Sequence, residues 1–135
     1  MIVDAGPLIA YLDELDPDHP ACLELLETHP GPLIVPTLVI SEVAHLLAAR
    51  GAPETEPRFL GDLASGALIV ESVHAADWMR IAELVWRYRD LPLGTVDGSV
   101  VAAAERREVT SIATLDRRHF GVVRPAHVER FELLP

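Results

Sequence analysis

Leu93-Gly94-Thr95-Val96-Asp97-Gly98-Ser99-Val100-Val101-Ala102-Ala103-Ala104 reads as the opening turns of a helix that begins after a Pro/Gly break at Leu91-Pro92-Leu93-Gly94. Thr95 has an N-cap side chain. Asp97 falls in the first turn, where unpaired N–H groups and the positive end of the helix dipole favour a carboxylate. Beyond Asp97 the sequence turns small and apolar. Alone, Asp97 need only complement the dipole. Its meaning depends on whether the fold delivers other acids to the same place.

Downstream, Val109–Ala113 reads as a strand, and Asp116 follows just past its end in Thr114-Leu115-Asp116-Arg117-Arg118-His119-Phe120. Val122-Val123 and Arg130–Leu133 are weaker strand candidates, fit for an edge. Upstream, Ser72–Arg89 is a long helix with Trp78, Ile81, Ala82, Val85 and Trp86 on one broad face, which suits a subunit interface or core packing equally. Ala67–Glu71 is a strand. Glu54–Gly66 is a helix with Phe59, Leu60 and Leu63 inward. Pro36-Thr37 opens a helix that runs to about Arg50, with Gly51 as its stop. Leu38, Val39, Val43, Leu46 and Leu47 form its core side. Glu42, four residues from both Leu38 and Leu46, lies on or beside that buried stripe, where a carboxylate is costly unless paired or bound to a metal.

Before that come a strand at Leu33–Val35 and a helix capped by Asp16 with Pro17 at its first position. The chain starts with a short buried strand, Met1-Ile2-Val3, ending at Asp4. Ala5-Gly6-Pro7 breaks it, and Leu8–Leu12 forms a short helix. Strands alternating with helix pairs predict an α/β fold: a central, mostly parallel sheet of four to five short strands, flanked by helices on both faces, in one domain over residues 1–135.

The chain has 135 residues, half of them hydrophobic and 5% aromatic, so its core is built from Leu, Val, Ile and Ala. Cys22 is the only cysteine, which excludes an internal disulfide and a Cys-based zinc site. No apolar run reaches the roughly 18 residues of a spanning helix, and the N-terminus lacks a signal pattern, so a cytoplasmic protein without a membrane partner is expected. The formal charge is −10 and every basic residue is Arg. Such a balance counts against nucleic-acid binding unless several acids are gathered around metal ions, which frees Arg to form a local patch.

Asp4 and Asp116 at strand ends, Asp97 at a helix start and Glu42 within a helix converge only through the fold. If they do, like charges repel by roughly 4 kcal/mol per pair at an effective dielectric of about 20, and the cluster must take up protons or a cation. Hard, oxygen-seeking Mg²⁺ or Mn²⁺ suits such a set, and phosphodiester hydrolysis is the chemistry that follows. Receiver and haloacid-dehalogenase-like phosphoryl sites and the P-loop all require a Lys that this chain lacks. The dehalogenase-like pattern also needs an acid where Gly6 stands.

Ile2-Val3-Asp4, Ser41-Glu42-Val43, Val96-Asp97 before the small-residue helix, and Ala113-Thr114-Leu115-Asp116-Arg117-Arg118-His119-Phe120 together resemble the PIN domain, and within it the VapC-type toxins of bacterial toxin–antitoxin pairs. The resemblance runs nearly end to end. It implies an endoribonuclease dependent on Mg²⁺ or Mn²⁺, acting on tRNA, rRNA or mRNA, homodimeric, and held inactive by a cognate antitoxin protein. Carried over by position, Asp4, Glu42, Asp97 and Asp116 are its metal-site and catalytic acids, Asp4 and Asp97 the main ligands. Thr114 is expected to orient Asp116, Arg117 and Arg118 to contact RNA phosphates or remain solvated, and His119 to position the loop. The alternative is a PIN fold that binds RNA or protein without significant catalysis.

Overall fold

The computed structural model describes residues 1–50 and 54–135. The proposed stop at Gly51 and the Ala52-Pro53 lead-in to the next helix lie outside the described residues.

Five strands, β1 (Ile2–Val3), β2 (Ile34–Pro36), β3 (Ile69–Glu71), β4 (Ser111–Ala113) and β5 (Glu132–Leu134), form one sheet in the order β3-β2-β1-β4-β5. Every pairing is parallel. The last strand is thus an edge, while Val122-Val123 stays outside the sheet. The helices are α1 (Ala5–Leu12), α2 (His19–Thr28), α3 (Thr37–Arg50), α4 (Thr55–Ser65), α5 (Ala75–Arg87), α6 (Thr95–Arg106) and α7 (Arg117–Phe120). None of the described helices is long and apolar enough to cross a membrane.

The core follows the expected chemistry. Ile2, Val3, Val35, Ile112 and Ala113 of the central strands are fully buried, packed against Leu8, Val39, Val43, Val100 and Val101. Helix α1 starts at Ala5, earlier than expected. Gly6 and Pro7 fall in its first turn, where the N–H that proline lacks has no intrahelical partner to lose. Asp16 accepts from the backbone N–H of Asp18 in a turn rather than capping α2, which begins at His19. On α3 the inner stripe is Val39, Val43 and Leu47. Leu46 is exposed, and Glu42 sits beside the stripe, half-buried.

Helix α6 is buried almost all round, from Gly98 to Ala104. A Cβ at Gly98 would lie 3.1 Å from Ile81 Cγ2, so the small residues let α5 and α6 approach closely. The N-cap of α6 is Gly94, with Thr95 already helical. The inner face of α5 is Asp77, Ile81 and Leu84. Trp78 and Trp86 are 49% and 70% exposed, so they are not core residues. The guanidinium of Arg89 lies over the Trp86 ring, 4.6 Å from its centroid.

The strand order reverses between β1 and β4, because the chain builds outward to β2 and β3 and then returns to the other side of β1. In open parallel sheets a crevice opens beyond the carboxyl ends of the strands at such a reversal. Asp4 follows the last residue of β1 and Thr114 the last residue of β4 at that point.

Candidate active site

Asp4 follows Val3, which pairs in register with Ala113, and its N–H donates to the Ala113 carbonyl at 2.9 Å. The register therefore sets Asp4 beside Thr114, 110 residues away. The Thr114 hydroxyl donates to Asp4 Oδ2 at 2.8 Å and accepts from the backbone N–H of Asp116 at 3.0 Å. One buried hydroxyl thus orients the Asp4 carboxylate and ties down the turn that carries Asp116. The expected bond between Thr114 and Asp116 is present, to the Asp116 backbone, while the carboxylate that Thr114 holds is that of Asp4. The sequence carries no signal of this, because it does not show strand register.

Asp97 occupies the third position of α6, and its Oδ2 accepts from the Gly94 N–H at 3.0 Å. This is the reciprocal half of a capping box, and it fixes one oxygen of the carboxylate. Asp116 is the N-cap of α7, and its Oδ1 accepts from the His119 N–H at 2.9 Å. Its backbone continues into a turn so tight that a Cβ on Gly121 would lie 2.5 Å from the Arg117 carbonyl oxygen. An Asp at this position is itself a legible N-cap signal.

Asp4, Glu42, Asp97 and Asp116 line one open cleft of about 610 Å³, together with Gly6, Leu115, Arg117 and Arg118. All four acids named from the sequence are therefore brought to one place. Burial pushes the Asp4 carboxyl up to about 6, and the charges of Asp97 and Glu42 add to the rise against the Thr114 and Ala5 hydrogen bonds. Glu42 is likewise raised, by burial and then by Asp97. Among the described residues neither Asp4 nor Glu42 pairs with a cationic side chain, so a salt bridge to Arg does not account for Glu42. The Arg117 guanidinium donates to the Pro135 carbonyl, while Arg118 is exposed and takes part in no ion pair among the described residues.

The donors on the cleft walls are carboxylate oxygens, which suit a hard divalent cation. Among the described residues no three His, Cys, Asp or Glu side chains stand close enough to grip an ion by themselves. Acids spaced around an open cleft suit an ion that keeps part of its water shell, as Mg²⁺ does. Cys22 is no rival: it is fully buried, and burial with Asp18 and Asp16 pushes its thiol up to about 11.

The family model of the PIN domain matches residues 1–124. The chain belongs to the PIN domain family. Over the full length of both chains, 135 residues here, this PIN domain is 36% identical to ribonuclease VapC26 of Mycobacterium tuberculosis (strain ATCC 25618 / H37Rv). It also resembles the crystal structure of M. tuberculosis VapC20, a Sarcin-Ricin loop cleaving toxin, with a TM-score of 0.81 over 95% of this chain and 98% of that one, at 19% identity. At that identity the likeness is one of fold, and it agrees with the α/β PIN-like architecture expected from the sequence.

Proposed function

We propose that this PIN domain, one domain over residues 1–135, is an endoribonuclease dependent on Mg²⁺ or Mn²⁺ and the toxin of a toxin–antitoxin pair. The observation that carries the reading is the cleft at the β1/β4 reversal, where four carboxylates from four separate elements meet and two arginines line the rim. Full-length similarity to a protein named a ribonuclease supports the same chemistry.

Asp4 and Asp97 are the direct ligands in this reading. Each is held in orientation by a neutral donor, Asp4 by Thr114 and Asp97 by the Gly94 N–H. Glu42 and Asp116 act directly, through water, or by accepting the proton of the attacking water. A bound divalent ion would acidify that water and stabilise charge on the scissile phosphate. Arg118 contacts a neighbouring phosphate, and Arg117 joins it by leaving the Pro135 carbonyl. The product side is one P–O bond broken and one formed to the water oxygen. The partners in this reading are RNA, a cognate antitoxin and a second copy of the chain. Exposed Trp78, Met79 and Trp86 support the last. Acting on cellular RNA, the protein works in the cytoplasm.

The test is incubation of purified protein with total bacterial RNA, with Mg²⁺ or Mn²⁺ and with chelator, mapping new 5′ ends, beside Asp97→Asn. Discrete metal-dependent cuts that vanish in the folded variant are expected, since Asn keeps the shape of Asp but removes a ligand charge. Cuts that persist in Asp97→Asn would overturn its role. Metal uptake without any cut would favour a PIN fold that binds without catalysis.

A further inference from the structure

We propose that His119 is a positioning residue for the carboxylate cleft, its Nδ1 set between Asp97 and Asp116; the inference rests on the metal-site reading above. His119 Nδ1 lies 2.9 Å from Asp116 Oδ2 and 3.4 Å from Asp97 Oδ2. The atom is buried and, among the described residues, aligned with no hydrogen-bond partner. A buried ring nitrogen is costly unless it finds a partner, and here the carboxylates in reach are those of the cleft.

The ring is placed by the cleft and the core together. The His119 N–H is held by Asp116 Oδ1, the next side chain, Phe120, is buried, and Gly121 closes the turn. The ring therefore transmits the position of α7 to Asp97, whose Oδ2 it approaches on the same oxygen that receives the Gly94 N–H. Asp97 Oδ1 is left outside both contacts. Outer-shell partners of this kind hold a ligand in its binding orientation, and their loss weakens metal affinity by about 10-fold or more.

The experiment is Mn²⁺ titration calorimetry on wild type, His119→Phe and His119→Asn, with thermal unfolding of each metal-free protein. Phe keeps a ring and removes the nitrogen, while the Asn amide returns a donor close to the Nδ1 position. We expect His119→Phe to unfold like wild type yet bind Mn²⁺ about 10-fold more weakly, with most of the loss recovered in His119→Asn. Wild-type affinity in His119→Phe would overturn the assignment and leave the metal site standing. Equal loss in both variants would also overturn it, since packing rather than the nitrogen would then matter. A wild-type protein that takes up no Mn²⁺ would overturn the metal reading and this assignment with it.

Discussion

Asp4 concentrates the physical tension of the molecule. It is 7% exposed, follows directly on a central strand and is held by two neutral donors, the Thr114 hydroxyl and the Ala5 N–H, beside two other acids. Its carboxyl, pushed up to about 6 from an ordinary 3.8, binds a proton more tightly in the folded protein than in the unfolded chain. The sign follows from linkage: this contribution favours folding fully below about pH 4 and is lost as pH rises through 6. Two pK units correspond to roughly 3 kcal/mol, and Glu42 acts in the same direction. The metal-free protein should therefore melt at a higher temperature at pH 5.5 than at pH 7.5, and Asp4→Asn should flatten that dependence. Equal slopes in melting curves of the two proteins would count against the buried charge as the cause. On the proposed metal reading proton and cation would compete for the same oxygens, so Mn²⁺ should raise the melting temperature of wild type more at pH 7.5 than at pH 5.5.

At the scale of elements, α6 decides how tightly the cleft is framed. Its first turn carries Asp97, and its small residues let α5 lie against it. Gly98→Val places two methyl groups where Ile81 Cγ2 already sits 3.1 Å from a single added carbon. Overpacking of this kind costs about 1–3 kcal/mol, so the melting temperature should fall by several degrees. A variant as stable as wild type would show that α5 yields at little cost. The small, apolar character of this helix was legible in the sequence. Its N-cap was not, because Thr95 looks like a cap whenever the Asp97–Gly94 bond is unseen. The inner face of α5 was misplaced for a similar reason: Trp78 and Trp86 each stand four residues from Ala82, but Ala82 is exposed with them, and the buried residue beside Ile81 and Leu84 is Asp77, paired with Arg106 at 3.2 Å.

For the whole molecule the proposed function raises the question of how a chain of net charge −10 would approach a polyanion. Several arginines are spent internally: Arg80 on Glu105, Arg106 on Glu71 and Asp77, Arg107 on Glu71. Arg117 and Arg118 line the cleft without an acidic partner among the described residues. In an Asp97→Asn background that binds without cutting, changing both to Ala should weaken RNA binding and lower the slope of log affinity against log salt by about one per lost phosphate contact. An unchanged slope would return both residues to the solvated surface.

The sequence by itself determined the alternation of strands and helices, the apolar content of the central strands and the identity of the four lone acids. These are local properties: periodicity, turn chemistry and the rarity of a carboxylate beside a buried stripe. Only the tertiary structure decided that the acids share a cleft, that Thr114 serves Asp4, and that a ring nitrogen stands between Asp97 and Asp116. Those facts depend on the register of β1 against β4 and on the reversal of strand order between them. Both are set by the sum of many weak packing contacts, so no short stretch of the chain records either.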